Sequence, residues 1–172
     1  MAYSKYLANQ GWNLELISQD KSRSDKGKEE LNYQFARYHL RDLSKPESIK
    51  SIVENIETPN LIVANAGITK SGKAGSLDFE EKMGLFYLLC NGVIDLIESY
   101  LPEMEQKKGS RIVIISSIGA VTPMPKSSIY AAAKSAIYSY GQSLSRELNK
   151  KNISVTVSLP GYVKTLAHQR AG

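Results

Sequence analysis

The stretch Ser110–Ser117, with the sequence SRIVIISS, decides the fold class of this chain. The run IVII after Arg111 is apolar at every position, so both faces of a strand formed there would be apolar. Strands with one face in water alternate apolar and polar side chains, whereas strands in the middle of a parallel sheet do not. The stretch therefore predicts a central parallel strand that ends at its two serines.

Other runs of strand character alternate with segments of helical spacing. The other predicted strands are Trp12–Ser18, Gln34–Leu40, Asn60–Asn65 and Ile153–Leu159. The predicted helices are Met1–Asn9, Asp25–Leu31, Lys45–Ile56, Leu77–Gln106 and Ser127–Lys150. This alternation predicts an α/β fold, a doubly wound parallel sheet of the Rossmann type with right-handed crossovers. With no repeat or long linker in the sequence, we assign residues 1–172 to one domain.

Local signals predict two helix ends. Ser44 is the expected N-cap of the helix beginning at Lys45, with Pro46 in its first turn and Glu47 completing a capping box. Gly11 is expected to end the first helix in a left-handed conformation.

Composition limits the function classes. The chain has 172 residues, 42% hydrophobic and 23% charged, with a net charge of +5. Its basic residues are scattered rather than gathered in a stripe, so we expect no nucleic-acid partner. The single cysteine, Cys90, excludes an internal disulfide, and no Cys/His cluster predicts a metal site. We see no signal peptide and no apolar stretch of about 18 residues, so we expect a cytoplasmic protein without a membrane segment.

Tyr130 and Lys134 form the candidate chemical pair. Side chains four residues apart share one face of a helix, and a neighbouring ammonium favours the phenolate form of a tyrosine. With 10 tyrosines in the chain, this spacing alone also fits an ordinary pair on a helix surface. What distinguishes the pair is its place, because the predicted strand end at Ser117 lies thirteen residues before Tyr130.

This array of Ser117, Tyr130 and Lys134 resembles the short-chain dehydrogenase/reductase family, in its classical type. Other motifs of the family are matched in the family's order. These are Asp42 and Leu43 for the adenine pocket, Asn65, Ala66 and Gly67 for the Asn-Ala-Gly motif, Asn91 for the fourth catalytic residue, and Pro160, Gly161, Val163 and Thr165 for the segment around the nicotinamide. The resemblance covers the chain from Met1 to about Thr165.

The resemblance implies an NAD(P)-dependent oxidoreductase that transfers hydride between the nicotinamide and a small carbonyl or alcohol substrate. Tyr130 would exchange a proton with the substrate oxygen, while Lys134 would favour the phenolate and hold the nicotinamide ribose. Ser117 would bind the substrate oxygen, and Asn91 would anchor a water that joins Lys134 to solvent. By chemistry alone Ser116 is an equal candidate for the serine role, and only the spacing favours Ser117. The family also implies a homo-oligomer.

The cofactor form is predicted from the end of the first strand. NAD enzymes place an acidic residue there, and this chain has Ser18 and Gln19 before Asp20. Lys21 and Arg23 follow and are suited to a 2′-phosphate, so we favour NADP(H) over NAD(H).

Two departures from the family's sequence pattern support another interpretation of the function. The sequence shows no Gly-rich turn matching G-x-G-x-x-G, and we expect the fold to lack the first strand with that turn, together with the C-terminal helix and strand. On this view the chain is a cofactor-free fragment or pseudoenzyme that acts only through association, and it binds dinucleotide weakly or not at all. A nucleotide-sensing regulator on the same fold would be expected to lose Tyr130 or Lys134, and both are present.

Overall fold

The computed structural model of the protein describes residues 2–30 and 36–161. The chain falls into two compact units, Met1–Leu43 and Ser44–Gly172. The assignment of the whole chain to one domain stays a prediction.

The first unit alternates helices and strands as predicted. Its elements are α1 (Ala2–Asn9), β1 (Leu14–Ser18), α2 (Lys21–Glu30) and β2 (Ala36–Leu40). The two strands pair in parallel, with Leu14 opposite Ala36. These two buried residues form a small core with Leu7, Trp12 and Leu16.

Gly11 ends α1 as the sequence predicts. Its φ is +78°, a left-handed conformation that glycine adopts without a steric penalty. The Gly11 amide donates to Ala8 O at 3.0 Å, and the Trp12 amide donates to Leu7 O at 3.1 Å. This pair of bonds is the Schellman motif, which satisfies carbonyls at a helix end. It turns the chain directly into β1.

The second unit contains the predicted central strand. Its elements are α3 (Pro46–Asn55), β3 (Leu61–Ala64), α4 (Phe79–Phe86), a π-helical turn (Tyr87–Asn91), α5 (Gly92–Met104), β4 (Ser110–Ile115), a 3-10 turn (Ile118–Ala120), α6 (Ser128–Leu148) and β5 (Ile153–Ser158). The strands pair in parallel in the order β3-β4-β5. The prediction that the SRIVIISS stretch forms a central parallel strand is confirmed.

The main core of the second unit lies between β4 and the helices α5 and α6. Ile112 and Ile114 of β4 are buried in one cluster with residues from both helices, including Ile97, Met104, Ile137, Leu144 and Leu148. Gly141 lets α6 approach the sheet, because a Cβ there would lie 2.5 Å from Val157 Cγ2. This close packing fixes the helix that carries Tyr130 and Lys134.

The predicted N-cap of α3 is wrong by one residue. Lys45, not Ser44, caps the helix, and its side chain makes no capping hydrogen bond. The cause is Pro46, because a residue before proline is kept out of the helical region, and Lys45 accordingly has φ −113° and ψ 127°. A complete capping box instead begins α4, where the Asp78 side chain accepts the Glu81 amide at 2.8 Å.

One helical stretch, Phe79–Met104, is long and apolar enough by length and composition to span a membrane, which the sequence analysis did not anticipate. A core helix passes the same test, and several residues of this stretch are buried in the core. They include Leu85, Leu89, Ile97, Tyr100 and Met104. We therefore interpret the stretch as a core element of the second unit.

Candidate active site

The ends of β4 and β5 stay joined beyond the strands themselves. The Ser116 amide donates to Ser158 O at 2.9 Å, and the Ile118 amide donates to Pro160 O at 3.0 Å. Carboxyl ends of parallel strands lie at one edge of a sheet, which is where ligands bind in open α/β folds. The structure thus brings the predicted serine segment and Pro160 together at this edge.

The two candidate serines have different bonds. The Ser116 hydroxyl donates to the backbone oxygen of Lys134 at 2.8 Å, and Ser116 is only 3% exposed. Ser117 Oγ accepts the Gly119 amide at 3.1 Å, which leaves the Ser117 proton for another acceptor. No hydrogen bond donated by the Ser117 hydroxyl is found among residues 2–30 and 36–161. Of the two serines, Ser117 is therefore the one whose hydroxyl proton is not engaged in the described part of the chain.

Lys134 is a buried cation at the end of β4. The residue is 6% exposed, and its Nζ donates to Ile115 O at 2.8 Å. Burial disfavours the charged form and lowers the pKa of Lys134 to about 8, while Cys90 acts in the opposite direction. The same Nζ lies 6.0 Å from the ring centroid of the half-buried Tyr130. The pair predicted from its spacing is therefore assembled on one face of α6.

Small residues between Tyr130 and Lys134 favour this geometry. The sequence there is three alanines, the strongest helix formers, and the last of them, Ala133, is fully buried.

The start of α6 is also joined to the loop after β3. The hydroxyl groups of Ser127, just before α6, and Ser71 are 3.0 Å apart, and the Gly72 amide donates to Lys126 O at 2.8 Å. These contacts tie the loop after β3 to the start of α6, and sequence reasoning missed them.

The Asn-Ala-Gly segment follows β3 and reaches the same lysine. A Cβ added at Gly67 would lie 3.1 Å from Leu89 Cδ2 and 4.0 Å from Lys134 Nζ. The close neighbour is the Leu89 side chain, whereas the distance to the ammonium is an ordinary van der Waals contact, so glycine here lets the backbone approach Leu89 next to Lys134. Asn65 is exposed and Ala66 is half-buried at the end of the strand.

Asn91 is not brought to Lys134 by any hydrogen bond within the described part of the chain. It is the last residue of the π-helical turn and is exposed, whereas Leu89 and Cys90 before it are buried. Leu89 faces Gly67, and burial raises the pKa of the Cys90 thiol, with Lys134 opposing that rise. A π-helical turn changes which side chains face the core, and uniform helical spacing does not reveal one.

The other predicted cofactor contacts are placed as follows. Asp42 and Leu43 follow β2 after one residue, Arg41, in the first unit, and both are half-buried. Gly161 is exposed, with open space where a Cβ would stand. Val163 and Thr165 lie outside the described residues. In the described ranges, no group of three or more His, Cys, Asp or Glu side chains is placed to hold a metal ion.

The comparisons identify the family. The family described as short chain dehydrogenase matches residues 1–171. A 3-oxoacyl-[acyl-carrier-protein] reductase from Chlamydia trachomatis is 30% identical over 94% of this chain and 68% of its own length. A dehydrogenase/reductase SDR family protein 7-like from Anopheles gambiae is 34% identical over 72% of this chain and 40% of its own.

Solved structures agree with this assignment. A short-chain dehydrogenase from Sphingobium yanoikuyae in complex with NADPH has a TM-score of 0.89 at 26% identity, covering 98% of this chain and 68% of that one. A bulky-bulky ketone specific alcohol dehydrogenase from Comamonas testosteroni shares the fold, with a TM-score of 0.86 at 23% identity over 94% of this chain and 67% of its own. This chain belongs to the short-chain dehydrogenase/reductase family of oxidoreductases, which bind nicotinamide cofactors and act on small molecules.

Proposed function

We propose that the protein transfers hydride between a nicotinamide cofactor and a carbonyl or alcohol substrate, with Tyr130 as the acid/base. The observation that carries this proposal is the buried ammonium of Lys134, held by Ile115 O and lying beside the Tyr130 ring. A buried cation is costly unless its charge is used or compensated. Here the ammonium is bonded to the end of the central strand and lies 6.0 Å from the ring centroid of Tyr130, which is the arrangement that the proposed chemistry needs.

Three side chains of the protein have separate roles at the substrate carbonyl. In the reducing direction the Tyr130 hydroxyl donates its proton to the substrate oxygen, on which negative charge develops. The Ser117 hydroxyl donates a hydrogen bond to the same oxygen, because its proton is not engaged in the described structure. The positive charge of Lys134 stabilises the Tyr130 phenolate that remains, and solvent returns the proton.

The residues around Lys134 fit a dinucleotide. Its Nζ suits the ribose hydroxyls, and the Asn-Ala-Gly segment passes next to it, because a Cβ at Gly67 would lie 4.0 Å from Nζ. Asn65, Ala66, Pro160 and Gly161 line the same strand ends, and the proposal adds Asp42, Leu43, Val163 and Thr165 by resemblance. The bound cofactor supplies or accepts the hydride, while the protein provides position and electrostatics.

Asn91 enters the proposal by resemblance alone. Its side chain is exposed, so it would act by anchoring a water and not by touching Lys134. Asn91→Ala tests this role, because loss of a proton relay lowers kcat while the cofactor still binds.

NADP(H) is the cofactor form that we propose. Lys21 is exposed at the first position of α2, close after β1, where it is available to a 2′-phosphate. Asp20 is the residue that argues for NAD(H), yet its Oδ1 already accepts the Ser22 hydroxyl at 2.8 Å. The relative from Sphingobium yanoikuyae was solved with NADPH.

The finer attributes of the protein follow the family. We propose a homo-oligomer in the cytoplasm, where the single buried cysteine would stay reduced. For the substrate, the Chlamydia trachomatis relative is named for reduction of a 3-oxoacyl group, which makes a 3-oxoacyl thioester the first probe.

The test is consumption of NADPH and NADH by the whole protein, with acetoacetyl-CoA and a series of simple ketones. The proposal expects turnover with at least one carbonyl, and a faster rate with NADPH. A protein that binds neither cofactor in calorimetric titration would favour the cofactor-free alternative and would contradict this function.

A further inference from the structure

Two hydrogen bonds running in opposite directions join the end of β4 to one lysine. Lys134 Nζ donates to Ile115 O at 2.8 Å, and the next residue, Ser116, donates from its hydroxyl to Lys134 O at 2.8 Å. Two adjacent residues at the end of β4 therefore bond to the same lysine, Ile115 to its ammonium and Ser116 to its backbone carbonyl. This reciprocal pair is called the Ser116–Lys134 tie below.

The tie rests on fixed backbone. The Ser116 amide donates to Ser158 O at 2.9 Å, which anchors Ser116 to β5. At the other end, Ala133 is fully buried and keeps this turn of α6 against the sheet. A lysine side chain has four flexible methylene groups. Its ammonium therefore has a defined position only when both the ammonium and the backbone of the residue are held by other groups.

The Ser116 hydroxyl makes a bond between the end of β4 and α6. Ser116 is 3% exposed, and its buried hydroxyl is satisfied by donating to Lys134 O. The acceptor, Lys134 O, belongs to the interior of α6, where a carbonyl can accept a second bond beside that of the helix. The hydroxyl therefore joins the end of β4 to the backbone of the residue that carries the ammonium.

We propose that Ser116 is a positioning residue, which fixes the Lys134 ammonium in register with the Tyr130 ring and Gly67. The inference rests on the proposed function for its catalytic consequence, but not for its geometry. The ionisable groups found near this ammonium in the described structure are Tyr130 on its own helix and Cys90 on the π-helical turn. The sequence made Ser116 equal to Ser117 in chemistry and favoured Ser117 by spacing, and this proposal gives the two serines separate tasks.

Ser110 provides a matched control at the other end of β4. It is also buried, at 1% exposure, and its hydroxyl donates to a helix carbonyl, Met104 O, at 3.0 Å. Ser110→Ala thus removes the same kind of bond from the same strand, away from Lys134. Ser116→Cys is the second test variant, since it keeps the volume of the side chain and weakens the donor.

The first readout needs no substrate. The pKa of Lys134 is followed by NMR of its ¹³Cε in ¹³C-lysine-labelled protein, with Lys134→Met used to assign the signal. The wild type should titrate near pH 8, and Ser116→Ala and Ser116→Cys should move the midpoint upward as the ammonium gains access to water. Ser110→Ala should leave the midpoint in place. An unchanged or lowered midpoint in both Ser116 variants, or an equal rise in Ser110→Ala, overturns the proposal.

The second readout uses NADPH and acetoacetyl-CoA. Ser116→Ala should lower kcat by about 10- to 100-fold, the scale of a small displacement of a catalytic group, with little change in the KM for acetoacetyl-CoA. A wild-type kcat in Ser116→Ala would overturn the inference. If the wild type reduces no carbonyl, the proposed function fails, while the Lys134 titration still decides the role of Ser116.

Discussion

Lys134 Nζ donates a hydrogen bond to the carbonyl oxygen of Ile115, the last residue of β4, at 2.8 Å. The ammonium of Lys134 on α6 therefore bonds directly to the end of the central strand β4. Because the ammonium is buried and its pKa is lowered to about 8, this contact also affects stability.

The stability of the protein should depend on pH through Lys134. Its pKa in the folded state, about 8, is below the ordinary value of 10.5, so between these values the unfolded chain binds more protons than the folded one. The free energy of unfolding should then rise with pH across this window, by on the order of 3 kcal/mol. Below pH 8 the cost of the buried charge is fully present. Lys134→Met should abolish this rise.

Urea unfolding at pH 7, 9 and 10.5 measures the effect as the difference between wild type and variant. The exposed Lys108, changed to Met, is the control and should preserve the wild-type pH dependence. Parallel pH profiles for the wild type and Lys134→Met would show that the buried charge does not have this effect.

Two glycines inside helices should respond oppositely to alanine. At Gly141 of α6 a Cβ would lie 2.5 Å from Val157 Cγ2 and 3.0 Å from Ile114 Cδ1, so Gly141→Ala should destabilise the protein by about 1–3 kcal/mol. At Gly84 of α4 a Cβ meets nothing within 4 Å, so Gly84→Ala should stabilise by about 0.5–1 kcal/mol. Thermal or urea unfolding measures both. A neutral Gly141→Ala would mean that α6 does not pack this closely on β5.

Cofactor preference should depend on the two basic residues after β1. Removing a charged contact to the 2′-phosphate typically costs about 1.5–3 kcal/mol, so Lys21→Ala combined with Arg23→Ala should weaken NADPH binding at least about 10-fold. NADH, which lacks the phosphate, should bind nearly as before. Titration of both cofactors measures the change, with Lys73→Ala and Lys108→Ala as a charge-matched control pair. Equal losses for NADPH and NADH would contradict the preference for NADP(H).

Strong local patterns were sufficient to predict much of the fold. The uninterrupted apolar run in β4 predicts its central place because only a strand covered on both faces tolerates such a sequence. Gly11 predicts a helix end because its conformation is local. One predicted boundary was wrong: α2 begins at Lys21 and not at Asp25, since the Asp20 carbonyl already accepts the Ser24 amide.

Features of the site that depend on tertiary contacts were not predictable. Spacing favours Ser117 over Ser116, but the bond from Ser116 to Lys134 O, eighteen residues further along the chain, is contained in no local pattern. The π-helical turn before Asn91 has no sequence signal that we recognise, and it determines that Leu89 and Cys90 are buried while Asn91 is exposed. By contrast, the spacing DFEE from Asp78 to Glu81 is a capping-box signal that sequence reasoning had available and did not use.

The measurement that tests the central claim most directly compares Tyr130→Phe with the wild type in NADPH-dependent carbonyl reduction. The variant keeps the ring and loses the proton donor, so kcat should fall by about 10²- to 10⁴-fold while circular dichroism and NADPH binding stay unchanged. Tyr138→Phe, a half-buried tyrosine on the same helix, should retain wild-type kcat. Turnover within a few-fold of wild type in Tyr130→Phe would contradict the assignment of Tyr130 as the acid/base.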